Sequence, residues 1–262
     1  MSELQRYLDV ALEAAFVAGR RTLAHFGTGV AVETQGDDTP VTVADREAEA
    51  VLRAHLGRAF PDHGIVGEEE GADRADASHV WWVDPIDGTK SFVRGVPLYG
   101  VLVGLAIEGR VEVGVAHFPA LGMTVSAASG HGTRLDGRPV RVRTAGRLSA
   151  AYVGFTNAGS FARHGRAGAW ERVQAATAFQ AGWGDAYGHA LVAAGRLDVM
   201  LDPVMHAWDC GPFPVLLREA GGRFGDWRGV ETIHGGEALS VSESLWPELE
   251  PLLGAKEPPR AA

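Results

Sequence analysis

The sequence predicts an α+β protein of layered helices and sheets, and three observations point there. Near the start, Leu4, Leu8, Leu12, Ala15, Phe16 and Leu23 recur at three-to-four-residue spacing, the period of an amphipathic helix. In the middle, 98–107 and 111–118 alternate apolar and small residues across Glu108-Gly109-Arg110, the pattern of an antiparallel hairpin. After residue 150, short apolar runs alternate with helical patterns, as expected where helices and sheets stack in layers.

The bulk numbers bound the function before any motif is read. With 262 residues the chain has ample length for a core, as one large domain or two coupled halves. Hydrophobic residues are 46% and charged residues 22%, an ordinary globular mix. A net charge of −9, with only two lysines (Lys90 and Lys256) among 24 basic residues, argues against a nucleic-acid partner. Glu3, Arg6, Asp9, Glu13, Arg20 and Arg21 interrupt any signal-peptide core, and no run approaches the roughly 18 apolar residues of a membrane span. Cytoplasmic residence is the expectation. The single cysteine, Cys210, excludes an intramolecular disulfide and a cysteine-based zinc site, and reads as a small buried residue rather than a nucleophile.

The elements follow in order. The first helix covers 3–26 and ends at Gly27. A second begins after Thr42, which is spaced with Asp45 as a capping box, and Val51, Leu52, Leu56 and Phe60 form its apolar side. Pro61, Asp62 and Gly64 turn into the short strand Ile65-Val66, and Gly67 then introduces Glu68, Glu69 and Glu70. Such a run is ordinarily a solvated loop, but the apolar pair before it makes Glu68 a candidate to point inward at a strand end. Val80-Trp81-Trp82-Val83 reads as a buried strand with Asp84 as its last residue. Pro85 fixes its own φ and keeps Asp84 extended, so the ladder stops there and the Ile86 carbonyl is left to face a ligand. Asp87-Gly88 is a turn, and Thr89, Lys90 and Ser91 open a helix whose first N–H groups suit a phosphate.

Beyond the hairpin, 123–128 is a third strand, followed by the Asp136-Gly137 turn. Gly130-x-Gly132 lacks the third glycine of a dinucleotide fingerprint, and no P-loop occurs. A polar stretch at 143–149 divides the chain into halves, 1–145 and 146–262. The second half holds a strand at 151–155, helices at about 165–178 and 185–194, a strand at 197–201 with Asp202 at its end, and a helix at about 210–220 for which Asp209 is a candidate N-cap. A late strand at 239–241, a helix at 243–253 and a frayed tail complete it.

Singly, each acid has a structural explanation. Together, Glu68, Asp84, Asp87 and Asp209 each lie at the end of an apolar element, where layered αβ proteins form clefts. Like charges about 4 Å apart repel by roughly 4 kcal/mol per pair at an effective dielectric near 20, so one shared site would need cations. Mg²⁺ prefers such oxygen ligands and shares its shell with phosphate. Two ions about 4 Å apart are a known solution for phosphoester hydrolysis. No H-E-x-x-H or serine-histidine-aspartate set at motif spacing competes, and the 10 histidines are dispersed, against a zinc hydrolase.

Gly67-Glu68-Glu69, Asp84-Pro85-Ile86-Asp87-Gly88-Thr89, and Trp208-Asp209 followed by Glu219-Ala220-Gly221-Gly222 resemble the inositol monophosphatase superfamily of Mg²⁺-dependent, lithium-sensitive phosphatases, over nearly the whole chain. The resemblance implies a layered α-β-α-β-α sandwich, shared with fructose-1,6-bisphosphatases, usually built into a homodimer. It implies that Glu68, Asp84 and the Ile86 carbonyl hold one Mg²⁺, that Asp84, Asp87 and Asp209 hold a second, and that Glu68 touches a weaker third. Thr89, bonded to Asp45, would help activate the attacking water, and the N–H groups of Gly88 and Thr89 would hold the phosphate. One departure lies ahead of the second helix, where Gln35-Gly36-Asp37-Asp38 stands in place of a lysine-bearing loop.

Within the superfamily, Asp87-Gly88-Thr89-Lys90-Ser91-Phe92, the 184–188 segment Gly-Asp-Ala-Tyr-Gly, and Asp202-Pro203 ahead of Trp208-Asp209-Cys210 resemble the histidinol-phosphate phosphatase branch. Asp185 and Asp202 would add negative charge complementary to the ammonium and imidazole of histidinol phosphate. Lys90 would screen the phosphate or stand as an ordinary surface lysine. The expected activity is Mg²⁺-dependent hydrolysis of L-histidinol phosphate in histidine biosynthesis, by direct in-line attack of an activated water. The alternatives are an inositol-1-phosphate or broad sugar-phosphate phosphatase, or a non-catalytic metal-binding regulatory protein.

Overall fold

The computed structural model describes residues 2–29, 32–34, 40–144, 146–256 and 258. The 35–38 loop and most of the expected tail lie outside the described residues.

Helix α1 (Glu3–Leu23) starts at Ser2, whose hydroxyl accepts from Gln5 N–H. It stops short of Gly27, because the N–H groups of Ala24 and His25 bond three residues back and tighten the last turn. Strands β1 (Val32–Thr34) and β2 (Pro40–Thr42) pair antiparallel and lead into α2 (Val43–Ala59), where Thr42 and Asp45 form the expected capping box. An eight-stranded sheet follows. It contains β3 (Gly64–Gly67), β4 (Gly71–Asp73), β5 (His79–Asp87), β6 (Gly100–Ile107), β7 (Arg110–Phe118), β8 (Met123–Ala128), β9 (Thr133–Leu135) and β10 (Arg138–Val140), with the short helix α3 (Thr89–Val93) after β5. The spatial order is β10-β9-β8-β7-β6-β5-β3-β4.

A five-stranded sheet begins with β11 (Tyr152–Phe155). After α4 (Ala158–Arg163) and α5 (Ala167–Ala176) come β12 (Phe179–Ala181), α6 (Asp185–Ala193), β13 (Val199–Asp202), α7 (Ala207–Cys210), α8 (Phe213–Ala220), β14 (Gly222–Gly225), β15 (Ala238–Ser242) and α9 (Trp246–Leu253). Its order is β12-β11-β13-β15-β14.

Side-chain alternation along the strands sorts the buried residues into layers. Val101, Val103 and Leu105 on β6 pack with Trp81, Val83, Val113 and Val115 against α1 and α2, where Leu52 and Leu56 are fully buried. Leu102 and Ala106 face the other way, with Phe118 and Val125, onto Ala190 of α6 and Leu216 of α8; Met200 and Phe224 of the smaller sheet close the same cluster. The far face of that sheet, Val153, Val199, Leu201 and Val241, packs on Trp170 of α5 and Leu249 of α9. The order is therefore helix, sheet, helix, sheet, helix: the expected α-β-α-β-α sandwich. A fully buried Leu or Val contributes about 1.5–3 kcal/mol of transfer free energy, so these three clusters carry the fold.

Two sequence expectations need correction. Strand β5 does not end at Asp84; it continues to Asp87 after a break, with Asp84 opposite Leu102 and Asp87 opposite Gly100. Pro85 removes one ladder donor, and pairing resumes beyond it. Asp209 is not the N-cap of a helix over 210–220. It sits in the shorter α7, where its Oδ2 accepts from His206 N–H at 2.8 Å, and Pro212 separates α7 from α8.

Candidate metal and phosphate site

The junction of α7 and α8 rests on glycines. Gly104 of β6 and Gly114 of β7 are directly paired; a Cβ on Gly104 would lie 2.2 Å from the Gly211 carbonyl oxygen, and one on Gly114 would lie 2.4 Å from that of Pro212. The backbone of that junction therefore lies directly on the large sheet, and Asp209 is lowered to the end of β5. There, carboxylate oxygens of Asp84, Asp87 and Asp209 all come within 4.8 Å of one another.

Each acid is fixed by a backbone donor. Asp84 Oδ1 accepts from Ile86 N–H at 2.9 Å, an Asx-type turn that bends the chain around Pro85. Asp87 Oδ2 accepts from Ala186 N–H at 2.7 Å, in the first turn of α6. The Ile86 carbonyl is not idle, as the sequence had suggested: it accepts from the Thr89 hydroxyl at 3.0 Å, which leaves a second lone pair for a ligand. Thr89 Oγ1 lies 3.5 Å from Asp45 Oδ1, a longer approach than to Ile86. Asp45 Oδ2 is held by Thr42 N–H at 2.8 Å and Thr42 Oγ1–H at 2.6 Å. Asp45 is thus both a helix cap and a neighbour of Thr89.

The charges are not balanced from within. No ion pair to Glu68, Asp84, Asp87, Asp209 or Asp185 occurs among the described residues, and Lys90 is exposed. Burial, with Asp209 and Glu69 nearby, pushes the Glu68 carboxyl up to about 8. Burial first, then Glu68, Asp87 and Asp209, holds Asp84 well above the usual range. Asp87 is raised in the same way by burial, Asp185 and Asp209. Asp209 is raised by burial, against the His206 N–H. Buried carboxyls this crowded are a donor set for a hard divalent cation, which favours their ionised form. Asp84, Asp87 and Asp209 therefore form a donor set that could hold a hard divalent cation; Glu68 is not part of that group, although its charge acts on Asp84.

Gly88 follows Asp87 with φ of +83°, left-handed backbone that suits glycine. A Cβ there would meet Asp185 Oδ2 at 3.1 Å. Asp185 has φ of +53°, its N–H donates to Thr156 Oγ1 at 2.7 Å, and its carboxyl is pushed up to about 7 by burial, Asp202 and Asp209, with Lys90 pulling the other way. Asp185 is therefore brought to the site. Asp202 is placed differently: it is 3% exposed, with Oδ2 3.3 Å from His189 Nε2, whose Nδ1 lies 2.7 Å from Ser240 Oγ. Its charge reaches Asp185 and Asp209, but its carboxylate is turned to His189. Sequence reasoning passed over Glu69, pushed up to about 7 by burial and by Asp45 and Glu49; its place in the acidic run was the available signal.

A family match and two relatives, laid over this helix-flanked double sheet and its acidic cluster, make the protein a hydrolase acting on phosphoric monoesters. The chain belongs to the inositol monophosphatase family, whose model matches residues 3–256. It is 42% identical over 233 residues to a histidinol-phosphatase from Chlorobaculum parvum, covering 88% of this chain and 90% of that one. It is 37% identical over 254 residues to a histidinol-phosphatase from Mycobacterium tuberculosis, covering 95% and 98%. Among solved structures, an inositol monophosphatase from Anabaena (Nostoc) superposes with a TM-score of 0.86 at 28% identity, over 98% of both chains.

Proposed function

We propose that this protein is a Mg²⁺-dependent phosphatase that hydrolyses L-histidinol phosphate to L-histidinol and phosphate. The observation that carries the substrate choice is Asp185 Oδ2, 3.1 Å from the Cβ position of Gly88. An acid leaning over the phosphate turn suits a leaving group that carries an ammonium and an imidazole. The names of the two relatives support the same reading.

On this reading Glu68, Asp84, Asp87, Asp209 and the Ile86 carbonyl hold two or three Mg²⁺ ions. When bound, Mg²⁺ would supply Lewis-acid polarisation of the phosphoryl group and make a water more acidic. Thr89, whose one hydroxyl proton can turn to the Ile86 carbonyl or to Asp45, would accept a hydrogen bond from the attacking water and, when turned to Asp45, donate to that carboxylate, which draws proton density from the water and helps orient it in line with the ester bond. The N–H groups of Gly88 and Thr89 hold the phosphoryl oxygens, and Lys90 screens their charge. The P–O ester bond breaks as the water oxygen bonds to phosphorus, with no covalent phosphoenzyme; overall, one of the water's protons stays on the phosphate formed and the equivalent of the other protonates the departing alkoxide. Asp185 orients the histidinol end, and Asp202 adds its field from beneath. Residues 1–145 carry most metal ligands, and 146–262 carry Asp209 and the substrate-selecting acids. The protein works in the cytoplasm as a homodimer; no helix among the described residues is long and apolar enough to cross a membrane.

The second reading, an inositol-1-phosphate or broad sugar-phosphate phosphatase, is favoured by the likeness to the Anabaena enzyme. Phosphate release from a panel in Mg²⁺ separates the two. Histidinol phosphate should be turned over fastest, with the preference reduced in Asp185→Asn; faster release from inositol phosphate would establish the second reading. Absence of release from every phosphomonoester would leave a metal-binding regulatory protein.

A further inference from the structure

Helix α2 carries Asp45, Glu49 and Arg53 at i, i+4 and i+8, one stripe on one face. Asp45 reaches Thr89. Glu49 is fully buried, and an acid so placed is costly unless its oxygens are satisfied. Three N–H donors satisfy it: Arg53 Nε at 2.8 Å, Glu69 N–H at 2.8 Å and Glu70 N–H at 3.0 Å.

The last two are successive amides of the turn that bears Glu68. Gly67 and Gly71 are paired across the β3–β4 ladder, so Glu68, Glu69 and Glu70 form the connection between them. The Glu49 carboxylate occupies the nest made by two of its amides. The fit is close, because a Cβ on Gly67 would lie 2.3 Å from Glu49 Oε1. Arg53 ties the other end: its Nη2 donates to the Gly71 carbonyl at 2.5 Å, and its Nε lies 3.5 Å from Glu70 Oε2. An i,i+4 pair serving the helix alone would lie on the surface and need none of these contacts.

We propose that Glu49 and Arg53 are positioning residues that set the 67–71 turn and so fix where Glu68 faces the carboxylate cluster. The consequence for metal binding rests on the reading of Glu68 as a Mg²⁺ ligand; the consequence for the turn does not.

The test compares Glu49→Gln and Arg53→Gln with the unaltered protein by hydrogen exchange at the Glu69 and Glu70 amides, by Mg²⁺ calorimetry and by steady-state kinetics. Gln keeps the shape of Glu49 but sets an amide NH₂ against an N–H donor. At least one of the two amides should exchange at least about tenfold faster in each variant, and Mg²⁺ affinity should fall about 10- to 100-fold, the usual cost of losing outer support for a ligand. The Mg²⁺ half-saturation for activity should move more than kcat does. Unchanged exchange in both variants would overturn the proposal, as would faster exchange with unchanged Mg²⁺ affinity while Glu68→Gln lowers that affinity. If Glu49→Gln does not fold, Arg53→Gln carries the same test. If Glu68→Gln binds Mg²⁺ normally, the reading of Glu68 fails, and the exchange data still judge the turn.

Discussion

Asp84 and Asp87 stand three residues apart on one strand and would face opposite sides of a regular sheet, yet their carboxylate oxygens come within 4.8 Å of each other. The slip in register across Pro85 and Ile86 turns the second acid back to the side of the first. The same slip takes the Ile86 carbonyl out of the ladder, where it accepts from the Thr89 hydroxyl, and delivers the chain to the Gly88 turn. One proline thus concentrates the charge on which the site depends.

Removing one of these acids should cost activity without costing stability. Asp87→Asn keeps an acceptor for Ala186 N–H and removes one of several crowded buried carboxyls. Activity should fall by about a hundredfold or more, since even outer-sphere partners are worth 10- to 100-fold. Thermal melting in chelator should show the variant at least as stable as the unaltered protein; a large loss of melting temperature would mean that Asp87 serves mainly the fold.

Metal removal should do the reverse. Because an ion that binds only the folded chain stabilises it by RT ln(1 + [L]/Kd), Mg²⁺ at about 100 times its Kd should add about 2.7 kcal/mol. Melting curves with Mg²⁺ and with chelator read this directly. Asp87→Asn should lose most of the increment.

The glycine floor beneath Asp209 makes a paired prediction. Gly104→Ala places a methyl 2.2 Å from the Gly211 carbonyl oxygen, and overpacking of this kind costs about 1–3 kcal/mol or more. Gly57→Ala, in α2 with nothing within 4 Å of the added Cβ, should stabilise by about 0.5–1 kcal/mol through helix propensity. Denaturant unfolding of both variants checks the contrast, and Gly104→Ala should also weaken Mg²⁺ binding by lifting Asp209.

Acid should weaken the fold through His63. Burial and the neighbouring His79 lower its pKa to about 4; its Nδ1 accepts from the Trp81 indole at 3.1 Å, and its ring stacks on His79 with centroids 4.6 Å apart. The unfolded chain binds this proton near 6.5 and the folded chain near 4, so stability rises with pH across that window. The contribution is complete above about 6.5 and is lost as pH falls through 4. Melting temperature against pH should be flatter in His63→Gln than in the unaltered protein; equal slopes would show that His63 is not the group responsible.

The parts of the fold legible in the sequence are those set by local chemistry. The Thr42–Asp45 cap, the turn at Gly88 and the strands after it announce themselves through spacing, glycine and alternation. What stayed hidden depends on distant partners. Gly104 and Gly114 look like weak points in strands until α7 and α8 are laid against them. Asp202 was readable as a strand-end acid, but its partner His189 lies on a helix 13 residues earlier. Glu49 reads as one more acid on an amphipathic helix, because its amide partners lie 20 and 21 residues away. Short edge strands such as β4 and β12 carry too few residues for a period to register.

Anomalous diffraction from crystals grown with Mn²⁺ and inorganic phosphate tests the metal assignment most directly. The expected result is one peak bounded by Asp84, Asp87 and Asp209 and another sharing Asp84 with Glu68, both touching a phosphate seated on Gly88 and Thr89. Peaks confined to other parts of the molecule, with those four carboxylates unliganded, would contradict it.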